Sequence, residues 1–465
     1  MTAALGRSFS SLAVPNYRRY FAGQVVSLSG NWMQTVAEVW LILRLTGNGT
    51  LVGIAAGLQF LPVLLAGVWG GLLADRVPKR RLITITQSLA TLPAVALWAL
   101  TARGAVTPAI VLALIFARGC VNAFDNPARQ SFVVEMVGAD RVVNAISLNS
   151  VIVHTARIVG PATAGAVIAV LGVAPCFLLN ALTFVVMVVA LRGMDADELL
   201  PAPVAAREPG QLRSALRYVR ETPALRIPLA MMAVVGTLSF NFQVILPLLA
   251  RFTWHGTASA YAALTAAMGV GSVCGALIAG ARGRVSPRLL TVAAGGFGAA
   301  MLLAAAAPSF ALQALLLVPV GALSVTFAAG INSALQLTVT PEMRGRVMAL
   351  YSVVFIGSTP IGGPVTGWLA GTAGPRAGLV LGGIAAVVAG VVAQRAFVGG
   401  AAGAPAQRRR APGGKSMHRR GLSIGLRHRM RDSSCTSNYF HPQQRSTDVR
   451  HRHDDHHPAH RHLDR

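Results

Sequence analysis

Five ionisable side chains stand where water is scarce: Glu38, Arg118, Asp125, His154 and Arg157 all fall inside long apolar stretches. A charge in such surroundings is costly and usually serves a pathway for ions or polar cargo. Glu38 lies roughly 17 residues into its stretch, deep in a bilayer at 1.5 Å of rise per residue. An acid or a histidine held there can alternate between protonated and ionised forms, which is the chemistry of proton coupling. Plainer duties compete with that reading. Arg118 and Arg157 can bond to helix carbonyls, and Asp125 can cap the turn before Pro127 or belong to a charged cluster at the membrane surface. The second half of the chain offers almost only amides inside its apolar stretches, Asn241, Gln243, Asn332 and Gln336. Coupling chemistry, if present, is therefore one-sided.

A second constellation is the run Gly70-Gly71-Leu72-Leu73-Ala74-Asp75-Arg76-Val77-Pro78-Lys79-Arg80-Arg81. One acid and four bases in so few residues cannot lie in hydrocarbon, so the chain surfaces here. The glycines just before it let two helix backbones approach closely. Asp75 is placed to accept hydrogen bonds at a neighbouring helix N-terminus, and Arg76, Arg80 and Arg81 to pair with acids such as Glu135 or Asp125. Contacts made in one conformation only would bias an equilibrium between two states.

These residues need elements to hold them, and the composition names the kind. The chain of 465 residues is 54% hydrophobic and only 12% charged, against about 25% charged in soluble domains; its mean hydropathy is +0.57. A spanning helix needs about 20 mostly apolar residues. Spans are expected at 21–43, 51–73, 82–102, 107–125, 143–170, 175–192, 224–250, 258–281, 288–306, 309–337, 347–371 and 376–397. The fold class is all-α and polytopic: twelve transmembrane helices in two six-helix bundles with pseudo-twofold symmetry. The domains are 1–192 and 224–398, joined by a cytoplasmic linker, 193–223, in which Gln211 to Arg220 reads as a short amphipathic helix. Residues 399–465 read as a disordered basic tail. The start, Met1 to Tyr20, is polar and basic and shows no cleavage site, so no signal peptide is expected.

The net charge of +25 does not imply nucleic acid. Residues 399–465 carry 14 Arg/Lys and 5 Asp/Glu, and most other bases fall in loops on one side, with about one each in loops on the other. That asymmetry marks the cytoplasmic face and puts both termini inside a cell's inner membrane. Cys120, Cys176, Cys274 and Cys435 are scattered without metal or disulfide spacing, and the His-rich stretch Arg450 to His462 has no defined ligand geometry. No metal and no cofactor are expected. There is no phosphate-binding loop or nucleophile elbow, so an enzyme is the least favoured class.

The two halves echo one another. Gly160, Pro161 and Gly165 in span five answer Gly363 and Pro364 in span eleven, and both Gly-Pro pairs permit helix bends beside a central cavity. Such half-repeats accompany transporters that rock about a midplane site. At these residues the chain resembles the major facilitator superfamily. Gly71, Asp75, Arg76, Arg80 and Arg81 match its loop signature after span two, with Pro78 where a glycine is usual. Gly160, Pro161 and Gly165 match a span-five signature found mainly in antiporters, with Ala156 and Ala164 replacing glycines. Arg118 falls where the superfamily often buries an arginine, although Asn122 stands at the glycine position that follows. The wording of Asn16 to Phe21, Asn31 to Gln34 and Asp125 to Ser131 resembles a branch containing enterobactin-exporter-like and macrolide-efflux-like proteins.

The resemblance implies a secondary active transporter, with a small-molecule substrate, protons as coupling ion, the lipid bilayer as its surroundings and a monomeric state. Its span five suits efflux by alternating access, and the aliphatic, charge-poor wall available to a cavity suits small amphipathic molecules, drug-like or siderophore-like. Trp32, Trp40, Phe60, Phe240 and Phe242 are expected to offer stacking surface. A solute importer on the same scaffold, or a membrane sensor that does not transport, are the alternatives.

Overall fold

The computed structural model describes residues 10–200, 211–281 and 286–403. Among them there are helices and no strand. The first six spans are α1 Pro15–Thr46, α2 Gly49–Arg76, α3 Lys79–Ala102, α4 Pro108–Gly138, α5 Asp140–Leu171 and α6 Ala174–Arg192. A short α7, Gln211–Glu221, follows where the amphipathic helix is expected. Its Ala215 and Val219 are buried, and it packs against α8, Pro223–Ser239, and α13, Pro341–Thr372. The seventh span pairs α8 with α9, Phe242–Leu248, and a π-turn, Leu249–Thr253. Spans eight to twelve are α10 Ala258–Ala281, α11 Pro287–Ala306, α12 Phe310–Thr338, α13 and α14 Pro375–Gly403.

Local chemistry sets the ends. Asn48, Thr107, Ser286 and Ser309 each accept a backbone N–H of the first turn that follows, satisfying donors a helix start leaves free. Proline opens α1, α4, α8, α11 and α13, where its missing N–H costs nothing. Gly138, at φ 71° and ψ 177°, breaks the path between α4 and α5, a backbone that side chains other than glycine's rarely tolerate.

Three spans depart from expectation. Span four does not end at Asp125. It runs on as helix to Gly138, with Pro127 inside it, so Asp125 does not cap a terminating turn. The seventh span is broken at Phe240 and Asn241. Asn241 Nδ2 donates to the Thr237 carbonyl at 2.6 Å, replacing a backbone donor lost at the break. Eleven helices among the described residues are long and apolar enough to cross a membrane, and α1 is not one of them. Its Gln24, Ser27, Gln34, Thr35 and Glu38 are all buried, so the polarity that lowers its hydropathy is satisfied by neighbouring helices.

Helices approach through glycine, as lipid gives them no hydrophobic drive to associate. In the first bundle a Cβ at Gly70 of α2 would collide with the Ala123 carbonyl of α4. In the second, Gly271 and Gly275 of α10 meet the carbonyls of Val318 and Ala322 on α12 in the same way. The bundles join through two equivalent seams. α2 meets α13 from Gly49 against Gly367, through Gly53 against Gly363, to Leu64 against Gly357. α5 meets α10 at Gly165 against Ala262 and at Ile158 against Gly269. Both seams use the half of each span remote from the start of α1 and the end of α14.

Candidate functional site

Between the bundles lies a cavity of about 620 Å³. The first bundle contributes Trp32 and Thr35 from α1, Phe60 from α2, and Arg157 and Pro161 from α5. The second contributes the break itself, Phe240 through Val244, with Tyr261, Asn332, Tyr351 and Phe355. Phe240 is the hub of an aromatic wall. Its ring centroid lies 5.5 Å from Phe297, 6.4 Å from Phe327 and 6.2 Å from Phe355, which stacks on Tyr351 at 6.0 Å. Four of the five expected aromatics, Trp32, Phe60, Phe240 and Phe242, line the cavity. Trp40 instead packs into the core, 5% exposed. Tyr351 and Phe355 are absent from the sequence-based set. Their spacing of four residues, one helical turn apart, was the available signal.

Arg157 carries the only charge among the described residues lining this cavity. Its guanidinium sits 5.1 Å from the centre of the Trp32 ring. Three other largely buried bases of the first bundle are paired with acids. Glu38 and Arg118, each with a side chain 2% exposed, form an ion pair at 2.5 Å. Gln34 donates to the other Glu38 oxygen at 2.7 Å and accepts from Asn180 of α6. A polar chain thus crosses three helices. Thr35, on the cavity wall, has its hydroxyl 3.5 Å from the same guanidinium, which places the pair one side chain behind the wall.

The expected bend residues sit at helix contacts. Pro161 and Pro364 lie within the uninterrupted helices α5 and α13. Gly160 rests against Trp32 and the backbone of α1, Gly165 against α10, and Gly363 against Gly53 of α2. The side chain of His154 lies outside the described residues, as do the whole of Arg282 and Arg284 and the tail from 404 onward.

A third polar cluster occupies the end where α1 begins and α2 and α6 finish. Asp125 accepts from Thr86 at 2.6 Å, from Gln87 at 3.1 Å and from Arg129 at 2.5 Å. Arg129 also reaches Gln24 of α1. Asp125 therefore ties α1, α3 and α4 together and does not touch the cavity. The partner of Glu135 is Lys79, at 2.5 Å, and not one of the arginines considered for it. Arg80 donates to the carbonyls of Leu191 and Arg192 at 2.8 and 3.0 Å, the negative end of the α6 dipole. Gly71 and Asp75 are half-buried, and Arg76 and Arg81 are exposed. The contacts of Lys79 and Arg80 stay within the first bundle.

Lys79 and Glu135 are about one-tenth exposed, so removing one leaves the other stranded. Lys79→Met is expected to cost about 3 kcal/mol, and Lys79→Met with Glu135→Gln distinctly less. Thermal unfolding of the detergent-solubilised variants measures both.

The family model for transmembrane secretion effectors matches residues 6–414. The chain is 28% identical over 381 residues to the multidrug efflux pump Tap of Mycolicibacterium fortuitum, covering 78% of this chain and 91% of that one. It is 25% identical over 392 residues to the enterobactin exporter of Citrobacter koseri, covering 81% and 91%. It is 23% identical over 261 residues to the staphyloferrin A transporter of Staphylococcus aureus, covering 56% of this chain and 65% of that relative. Among solved structures, a bacterial homologue of the human lysosomal transporter Spinster, inward-facing and unoccupied, superposes with a TM-score of 0.67 at 16% identity, over 83% of this chain and 98% of that one.

Proposed function

The chain belongs to the transmembrane secretion effector family of the major facilitator superfamily, and from that premise we propose that it is a proton-coupled exporter of small amphipathic molecules. Its cargo resembles a drug or a siderophore in size and character, and it works as a monomer in the inner membrane. The observation that carries this reading is the Glu38–Arg118 pair set directly behind the wall of the cavity. A proton that reaches Glu38 by way of Thr35 neutralises the acid, loosens its hold on Arg118 and alters the wall that the substrate touches. The cavity suits the cargo. Aromatic and aliphatic surface gives a flat molecule a dry seat, and a few amides orient it.

The bundles 1–192 and 224–398 act as the two rocking bodies, linked by 193–223. With the seams closed at the end remote from the termini, the state described is the one open to the cytoplasm, where the arginine-rich loops and both termini lie. In the outward-open state the Asp75 loop is the latch: Asp75, Arg76 and Arg81 engage the second bundle while Arg80 keeps its hold on α6.

Everted membrane vesicles test the proposal. Accumulation of a neutral lipophilic dye such as N-phenyl-1-naphthylamine should fall at least about tenfold when an uncoupler collapses the proton gradient. Glu38→Gln should remove the gradient dependence while leaving the protein in the membrane. Dye movement indifferent to the uncoupler would reject proton coupling, and vesicles in which Glu38→Gln and Asp75→Asn change nothing would favour a sensor.

A further inference from the structure

We propose that the cavity selects organic anions, with Arg157 as the anchor for the negative group; this rests on the transport reading above. Three other bases largely buried in the first bundle each have a carboxylate: Arg118 has Glu38, Arg129 has Asp125 and Lys79 has Glu135. Arg157 has none among the described residues, and its buried Nε has no hydrogen-bond partner. No helix carbonyl among the described residues accepts from it either, so the ordinary duty of a buried arginine is unfilled there. A guanidinium does not lose its proton at any physiological pH. It cannot escape the cost of partial desolvation by becoming neutral, and only a charge brought in from outside relieves it.

Trp32 explains how the group is kept ready. The ring 5.1 Å away attracts the cation through its face and leaves the in-plane N–H donors free. Those donors match the two oxygens of a carboxylate. The wall from the second bundle supplies the complement. Asn241 Oδ1 and Gln243 Oε1 are buried acceptors without a donor, which a hydroxyl or N–H on the same ligand would satisfy. The rings of Phe240, Tyr351 and Phe355 line the same cavity. The chemistry described is a flat apolar body with a carboxylate and a hydrogen-bond donor. A cationic amphiphile of equal size meets an unpaired positive charge and is rejected.

Equilibrium dialysis of the full-length protein in detergent at pH 7.5 decides the matter, with 6-hydroxy-2-naphthoate and 6-hydroxy-2-naphthamide as probes of one shape and different charge. The wild type should bind the anion about tenfold or more tightly than the amide, the scale of a hydrogen bond to a charged group. Arg157→Gln should abolish that preference, weakening the anion about tenfold or more and the amide far less, and an unfolding temperature close to that of the wild type certifies the fold. Equal affinities in the wild type, or a preference that survives Arg157→Gln, would overturn the proposal. If Arg157→Gln binds neither probe, Arg157→Lys decides: it keeps a charge, so the anion must still be favoured, and its absence would be fatal. A wild type that binds neither probe defeats the amphiphile-transport reading itself, and this inference with it.

Discussion

Arg118→Leu is expected to be among the most destabilising single substitutions in the first bundle, at about 3–5 kcal/mol, because it strands a carboxylate that is almost wholly enclosed. Glu38 would keep only the bond from Gln34, and the Arg118 side chain is one of the largest that are fully buried. Glu38→Gln should cost less, though not nothing, since the buried guanidinium loses its counter-charge. The amide oxygen still accepts from Arg118, and the volume hardly changes. The informative variant is the double one, Glu38→Leu with Arg118→Leu. Exchanging both members of a buried pair for apolar groups is often neutral or stabilising, so its unfolding temperature should return close to the wild type. Transport should not return with it. A double variant as unstable as Arg118→Leu alone would mean that packing, and not the stranded charge, sets the cost. A stable, inactive double variant would separate the pair's structural role from its proposed coupling role.

The second large effect is conformational. Gly53→Leu should wedge α2 from α13, because any side chain there runs into the Gly363 backbone. Overpacking of this kind costs about 1–3 kcal/mol, and here the cost falls on one conformation. The seam joins two bundles, so the protein can escape by parting it. The result should be a folded protein whose equilibrium moves roughly tenfold or more toward opening at that end, with transport lost. Spin labels at Asn48 and Thr372, both exposed and near the ends of these two helices, should report a longer distance. Gly271→Leu is the contrast. Its collision with the Val318 carbonyl lies inside the second bundle, where no rigid-body movement relieves it, so it should lower the unfolding temperature without lengthening that distance. If both substitutions only destabilise, the α2–α13 seam is not a moving part.

How much of this was legible beforehand follows from the physics of each feature. The twelve spans were readable because hydrocarbon demands about 20 apolar residues whatever packs against them. Even α1, too polar to stand out by hydropathy among the described helices, was placed by the bracketing loops. The Asp75 loop was readable because an acid and four bases have to lie in water. Glycine spacing announced close helix contacts, although the partner of each glycine did not follow from it.

What the sequence determined by itself is therefore the solvent of each segment, and with it the helical architecture and the depth of Glu38, Arg118 and Arg157. It did not determine who pairs with whom. Three buried bases and three acids within one bundle allow several assignments, and only the packing chose Lys79 for Glu135, Arg118 for Glu38 and Arg129 for Asp125. Only the packing left Arg157 over, facing the cavity with an aromatic ring beneath it. Ion pairs form over a few ångströms between groups up to 80 positions apart in the chain, and distances that short are set by how helices cross, which no local pattern records.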